Sequence, residues 1–63
     1  MFIKIDQTTR AIDTIEWWHE YEEKFTEHRC LRIHFKDGDE VILRDAARMD
    51  KFKGVVQQYV VEI

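Results

Sequence analysis

The sequence predicts an α+β fold: a small antiparallel β-meander of about four strands with one C-terminal amphipathic helix packed on the sheet. Three observations predict it. Residues Leu31 to Leu43 alternate apolar and polar side chains on both sides of Asp37-Gly38, as a β-hairpin does. Two earlier stretches, Phe2-Ile3-Lys4-Ile5 and Ile15 to Tyr21, also alternate with period two. After Leu43 the period changes, and apolar residues recur every three or four positions.

Taken in order, Phe2 to Ile5 reads as a short strand with Ile3 and Ile5 on one side. Asp6-Gln7-Thr8-Thr9-Arg10 is rich in turn formers and reads as a loop. The next segment fits two templates. As a strand it sets Ile15, Trp17, His19 and Tyr21 on one face and Glu16, Trp18, Glu20 and Glu22 on the other. As a helix it takes Asp13 as N-cap, Glu16 as the capping-box partner, and a stripe of Trp17, Trp18, Tyr21 and Phe25. Aromatic density favours the strand, from near Ile12 to Tyr21, and the first strand then acquires a hairpin partner. Glu22 to Glu27 reads as a turn or loose connection.

Side-chain phase selects the register of the hairpin at Asp37-Gly38. A two-residue loop sets Phe35 opposite Glu40 and mixes apolar with charged groups on each face. A three-residue loop, Lys36-Asp37-Gly38, pairs Phe35 with Asp39, Ile33 with Val41 and Leu31 with Leu43. One face then collects Leu31, Ile33, Phe35, Val41 and Leu43. The other carries Cys30, Arg32, His34, Glu40, Ile42 and Arg44, and is expected to be hydrated.

Asp45 is placed to cap a helix whose apolar stripe is Met49, Phe52, Val56, Tyr59, Val60 and Ile63. Gly54 falls off this stripe at a cost of up to ~1 kcal/mol relative to alanine. A continuous helix through Gly54 is the expectation; the alternative ends it there and makes Val55 to Ile63 a further strand.

Residues 1–63 have room for a single domain and one small core, since chains of this length bury only about 60% of their unfolded surface. The one cysteine makes no internal disulfide, and the spacing of Cys, His and carboxylates carries no strong metal signature, so no cofactor is expected. Self-association as a homodimer or higher oligomer remains as a stabilising device. No secretory leader and no membrane span are evident, from which a cytoplasmic location is expected. The net charge of −3 argues against direct binding of nucleic acid, which needs a basic footprint.

Chemistry-bearing residues are few. His28, Cys30 and His34 share a side of the predicted strand, but His28 and His34 stand roughly 20 Å apart and cannot hold one ion. His19 lies among Glu16, Glu20, Glu22 and Glu23, a setting for acid–base exchange that lacks a pocket and a nucleophile motif, so the expectation is a non-enzyme. Trp17, Trp18 and Tyr21 beside Glu20 and Glu23 have the anatomy of a protein interface, with aromatic anchors and a charged rim. The acids Glu16, Glu20, Glu22, Glu23 and Glu27 suit a basic partner. A second set, Arg29, Arg32, His34 and Arg44, is suited to a small anionic, nucleotide-like ligand held between subunits, with rings stacking and arginines binding phosphate.

The size, mild acidity, absence of linkers and aromatic content resemble the small cytosolic proteins of phages and mobile elements. That resemblance rests on style and on no motif. It implies an inhibitor that acts by occupying the surface of a host protein, and this is the leading functional expectation. Interfacial ligand capture is the alternative.

Overall fold

In the computed structural model, which describes residues 1–63, the Phe35 amide donates to the Asp39 carbonyl at 2.8 Å and the Gly38 amide to the Phe35 carbonyl at 2.9 Å. These two bonds close the three-residue loop, with Gly38 at φ +93°, in the conformation that an L side chain resists. The strands on either side, β4 (Arg29–Phe35) and β5 (Glu40–Leu43), pair Leu31 with Leu43, Ile33 with Val41 and His34 with Glu40. This is the register expected from side-chain phase.

The strand before them, β3 (Ile15–Glu22), runs antiparallel to β4 and completes a three-stranded sheet of order β3-β4-β5. It starts later than Ile12 because Ile12–Thr14 forms one 3-10 turn, in which the Thr14 hydroxyl donates to the Ala11 carbonyl at 2.6 Å. A bulge at Glu16 then shifts the register, so that Ile15 faces Phe35 whereas Trp17 faces His34. The extra residue corrects the alternation expected from sequence. Ile15 packs toward the core, and only from Trp17 onward does the other parity turn outward.

The N-terminal segment differs more. Thr8–Ala11, expected as loop, is a strand, β2, paired antiparallel with β1 (Phe2–Ile5) across a two-residue Asp6-Gln7 turn. Asp6 supplies the positive φ of 56° that glycine would ordinarily provide. The first strand therefore pairs with β2 and not with β3, and the molecule has five strands in two sheets. Ile3 and Ile5 turn onto the core of the larger sheet. Arg10 on β2 ties the two sheets together: its guanidinium lies 4.3 Å above the Phe35 ring and forms ion pairs with Asp37, at 3.2 Å, and with Asp39.

Helix α1 (Ala46–Val56) begins where the Asp45 side chain accepts from the Arg48 amide at 3.0 Å. Met49, Phe52 and Val56 seal it onto Leu31, Ile33, Phe35 and Leu43, and these seven buried residues form the core. Fully burying each such side chain contributes about 1.5–3 kcal/mol. The helix runs through Gly54 but stops at Val56, passes through one 3-10 turn (Gln57–Tyr59), and ends in extended backbone from Val60. Neither the continuous helix to Ile63 nor the alternative extra strand forms. Val60 and Ile63 find no surface to cover, and Tyr59 stays half-exposed with its hydroxyl donating to the Met1 sulfur at 2.7 Å, so little offsets the poor helix propensity of the β-branched residues here.

No helix is long and apolar enough to cross a membrane.

Candidate functional site

Helix α1 packs on one face of the three-stranded sheet, and β1 lays Ile3 and Ile5 against the same core. The opposite face has no covering element. Register fixes what that face presents. Trp17 stands beside His34 and Glu40, His19 beside Arg32 and Ile42, and Tyr21 beside Cys30. The outcome is a small lattice with aromatic rings along β3, imidazole and guanidinium along β4, and Ile42 on β5.

Rings stack along and across this lattice. Trp17 lies flat against His34, with centroids 4.8 Å apart and planes 7° from parallel. His19 is 5.4 Å from Trp17 and 5.5 Å from Tyr21, tilted against both. The Arg32 guanidinium sits 5.4 Å from the centroid of Tyr21, while its Nε lies 3.5 Å from Glu40. Beneath Trp17, the Nδ1 atom of His34 is buried without a hydrogen-bond partner. Trp17 and Ile42 remain exposed.

The proposed interface residues are divided by this geometry. Trp17 and Tyr21 stand on the uncovered face, and Glu23 at its end pairs with Arg44. Trp18 points to the helix and meets Phe52 edge-on at 5.8 Å. Glu20 also lies on the helix side, bonded to Arg29 at 2.8 Å and to Lys53 at 2.9 Å. These cations hold its carboxyl below the usual glutamate range, Arg29 first and then Lys53, and Glu20 in return raises both of them. Glu16 and Glu27 form no ion pair.

The proposed anion-binding residues divide in a related way. Arg32 and His34 share the uncovered face, with Arg44 at its margin beside Glu23. Arg29 has the opposite parity and reaches Glu20 and, at 3.6 Å, Glu22. All four arginine and histidine positions already have a charged, stacked or apolar neighbour. His19 is separated from Glu20 and Glu22 by the strand itself, so the acidic surroundings read from sequence adjacency do not gather around the imidazole.

Cys30 departs from its expected hydrated setting, being fully buried. Its thiol donates to Glu23 at 3.2 Å, and burial, followed by the Glu23 carboxylate, pushes its pKa up. His28, near the margin of the same sheet, bonds the Arg44 carbonyl through Nε2 at 2.7 Å. No three His, Cys, Asp or Glu groups converge in a way that could hold a metal ion.

What sequence reading missed was the meeting of the two residue sets. The aromatics of one and the cations of the other occupy one surface, because β3 and β4 pair in the register Trp17–His34 and His19–Arg32. That pairing is non-local and leaves no signal in either strand alone. Fold and surface together define a small α+β domain with an aromatic sheet face. No protein-family model matches the chain, and no curated protein or solved structure matches it.

Proposed function

We propose that the chain is a non-enzymatic binding protein that acts by occupying a surface of a partner protein with the uncovered face of its sheet. One observation carries this reading: Trp17, Tyr21 and Ile42 lie together on a face without a covering element, within a margin formed by the ion pairs Arg32–Glu40 and Arg44–Glu23. An aromatic centre with a charged margin is the usual anatomy of a protein interface. The margin is already balanced in charge, and Glu16 at the bulge of β3 and Glu27 in the connection from β3 to β4 add unpaired negative charge. The fitting partner offers an apolar strip flanked by basic residues.

Trp17→Ala combined with Ile42→Ser tests it, since both side chains are exposed and neither belongs to the core. In capture from lysate of the cells that encode the protein, a partner retained by wild type and by Lys51→Ala on the helix should be lost by the double variant. If the double variant keeps the same partner, the face is not the docking surface.

A second reading has its own support in Arg32 and His34 beside Trp17 and Tyr21, which sets cations and stacking rings side by side, as capture of a nucleotide-like anion requires. The existing ion pairs weigh against it, because a phosphate must displace Glu40 or Glu23. ATP and GMP serve as probes in a thermal-shift assay. A shift seen with wild type and lost in Arg32→Ala would favour this reading over the first.

A further inference from the structure

We infer that the segment Val60-Val61-Glu62-Ile63 of one copy docks as a parallel strand on the free edge of β1 in a second copy, with Glu62 beside Lys4. The inference does not rest on the partner-binding reading above and concerns a different surface. It starts from a cleft of about 330 Å3 between β1 and α1, floored by the buried Leu43 and Phe52 and walled by Ile3, Ile5 and Val55. Phe2, which also lines it, is 71% exposed.

The wall that β1 forms is an open strand edge, since β2 is the only strand paired with it. The Ile12 amide donates to the Met1 carbonyl at 2.9 Å, so Met1, and by alternation Ile3 and Ile5, turn their backbone groups toward β2. Phe2 and Lys4 therefore aim their amides and carbonyls away from it. None of the backbone bonds made outside the helices and strands involves either residue. Charge on the cleft is one-sided. Its single acid, Asp6, is paired with Arg48, whereas Lys4 and Lys51 take part in no ion pair. An extended, apolar segment with one acid fits such a site, because main-chain bonds to an open edge supply affinity and the side-chain surroundings supply specificity.

The chain itself carries that segment. Val60 leaves the 3-10 turn with extended backbone, and Val61 and Ile63 stand clear of their own molecule, Val61 at 83% exposure. The Tyr59 hydroxyl on the Met1 sulfur fixes the turn, so the residues after it are presented to a second molecule and do not enter their own cleft. Phase and charge choose the alignment. Set parallel, Phe2-Ile3-Lys4-Ile5 meets Val60-Val61-Glu62-Ile63 position by position. Val60 lies beside Phe2 and Glu62 beside Lys4, while Val61 and Ile63 join Ile3 and Ile5 on the core side. The Lys4 amide and carbonyl then bond Val61 and Ile63. Antiparallel alignments set Glu62 beside Phe2 or Ile3, or, with Glu62 beside Lys4, set Val60 against Asp6 and leave Phe2 bare. Exchange in both directions closes the pair as a two-fold dimer with two such contacts.

Sedimentation equilibrium and one cross-link test the proposal. Wild type should sediment at twice its 7.7 kDa as concentration rises. Glu62→Lys should weaken association about fivefold or more, and Lys4→Glu in the same chain should restore most of it. Both residues are exposed, so the circular dichroism spectrum should not change. Paired strands lie about 4.8 Å apart, within the range of roughly 4.4–6.8 Å between Cα atoms that a disulfide spans. Lys4→Cys and Glu62→Cys, mixed as two separate proteins under mild oxidation, should thus form a covalent dimer. Lys4→Cys mixed with Val61→Cys should not, because Val61 turns to the other side of the strand. A chain that stays monomeric at every concentration overturns the proposal. So does a dimer that Glu62→Lys leaves intact, one that cross-links through Val61→Cys in place of Glu62→Cys, or a chain carrying both Lys4→Cys and Glu62→Cys that cross-links only to itself.

Discussion

Trp17 and Trp18 are adjacent in sequence and serve opposite sides of the sheet: Trp17 stacks on His34 at 4.8 Å, while Trp18 meets Phe52 of the helix edge-on at 5.8 Å. Their replacement should have unequal costs. Trp18→Ala opens a space between β3 and α1 and should destabilise by about 2–3 kcal/mol. Trp17→Ala removes a stacked but exposed ring and should cost about 1 kcal/mol or less. Urea denaturation in dilute solution measures both. Equal losses would mean that Trp17 is a core residue.

The same pair marks where the sequence stops being informative. The β4–β5 hairpin is legible because Asp37-Gly38 sits between strands whose alternation admits one register, and a misplaced register would bury Glu40. The helix start is legible for the same kind of local reason, an Asp45 cap before Met49 and Phe52. Strand β2 is not, since Thr8-Thr9-Arg10-Ala11 has no apolar alternation and its turn borrows a positive φ from Asp6 where a glycine would have announced it. The Glu16 bulge is equally silent, and it decides that Ile15 and Trp17 face opposite ways. Its cause lies in the pairing with β4, which holds the Lys36 amide on the Thr14 carbonyl at 2.8 Å. The end of the helix depends on what Val60 and the residues after it fail to touch, and no periodicity records that. Of the candidate surface, the residue types were visible but not their shared face.

Acid should unfold the protein partly through Glu20. Its carboxyl is held below the ordinary 4.5 by Arg29 and then Lys53, and Asp37 and Asp45 lie below 3.8, the first through the Asp39 amide and Arg10, the second through Arg48. A group depressed in the folded state contributes stability above its unfolded value and loses it as pH falls through the folded one. Lys53, raised above 10.5 by Glu20, works in the other direction, contributing below that value and losing its share as pH rises through the folded one. The midpoint of thermal unfolding should therefore fall between about pH 5 and pH 2. Glu20→Gln should flatten that acid limb. A limb unchanged in the variant would remove Glu20 from the linkage.

Asp45 anchors the helix that seals the core. Its carboxylate accepts from the Arg48 amide at 3.0 Å and from the Arg48 side chain at 2.5 Å. Asp45→Ala should cost about 1 kcal/mol, and Asp45→Asn, which retains the cap acceptor, should cost less. Thermal denaturation of the two variants separates capping from the ion pair. Equal losses would assign the contribution to the charge on Asp45.

The two glycines should respond to alanine with opposite signs. A Cβ at either position meets nothing within 4 Å, so steric crowding decides neither case. Backbone conformation decides both. Gly38 holds φ at +93°, where an L residue is strained, and Gly38→Ala should cost about 1–2 kcal/mol by weakening the turn that sets the β4–β5 register. Gly54 lies within α1 on an exposed surface, and Gly54→Ala should stabilise by up to about 1 kcal/mol through lower chain entropy in the unfolded state. The gain should also lengthen the helix only slightly, because Val60 onward still lacks a surface to pack on. Chemical denaturation of the two variants side by side gives the signs directly. A loss at Gly54 would show that α1 needs its glycine for a close approach that the single chain does not make, as packing against a second molecule would require.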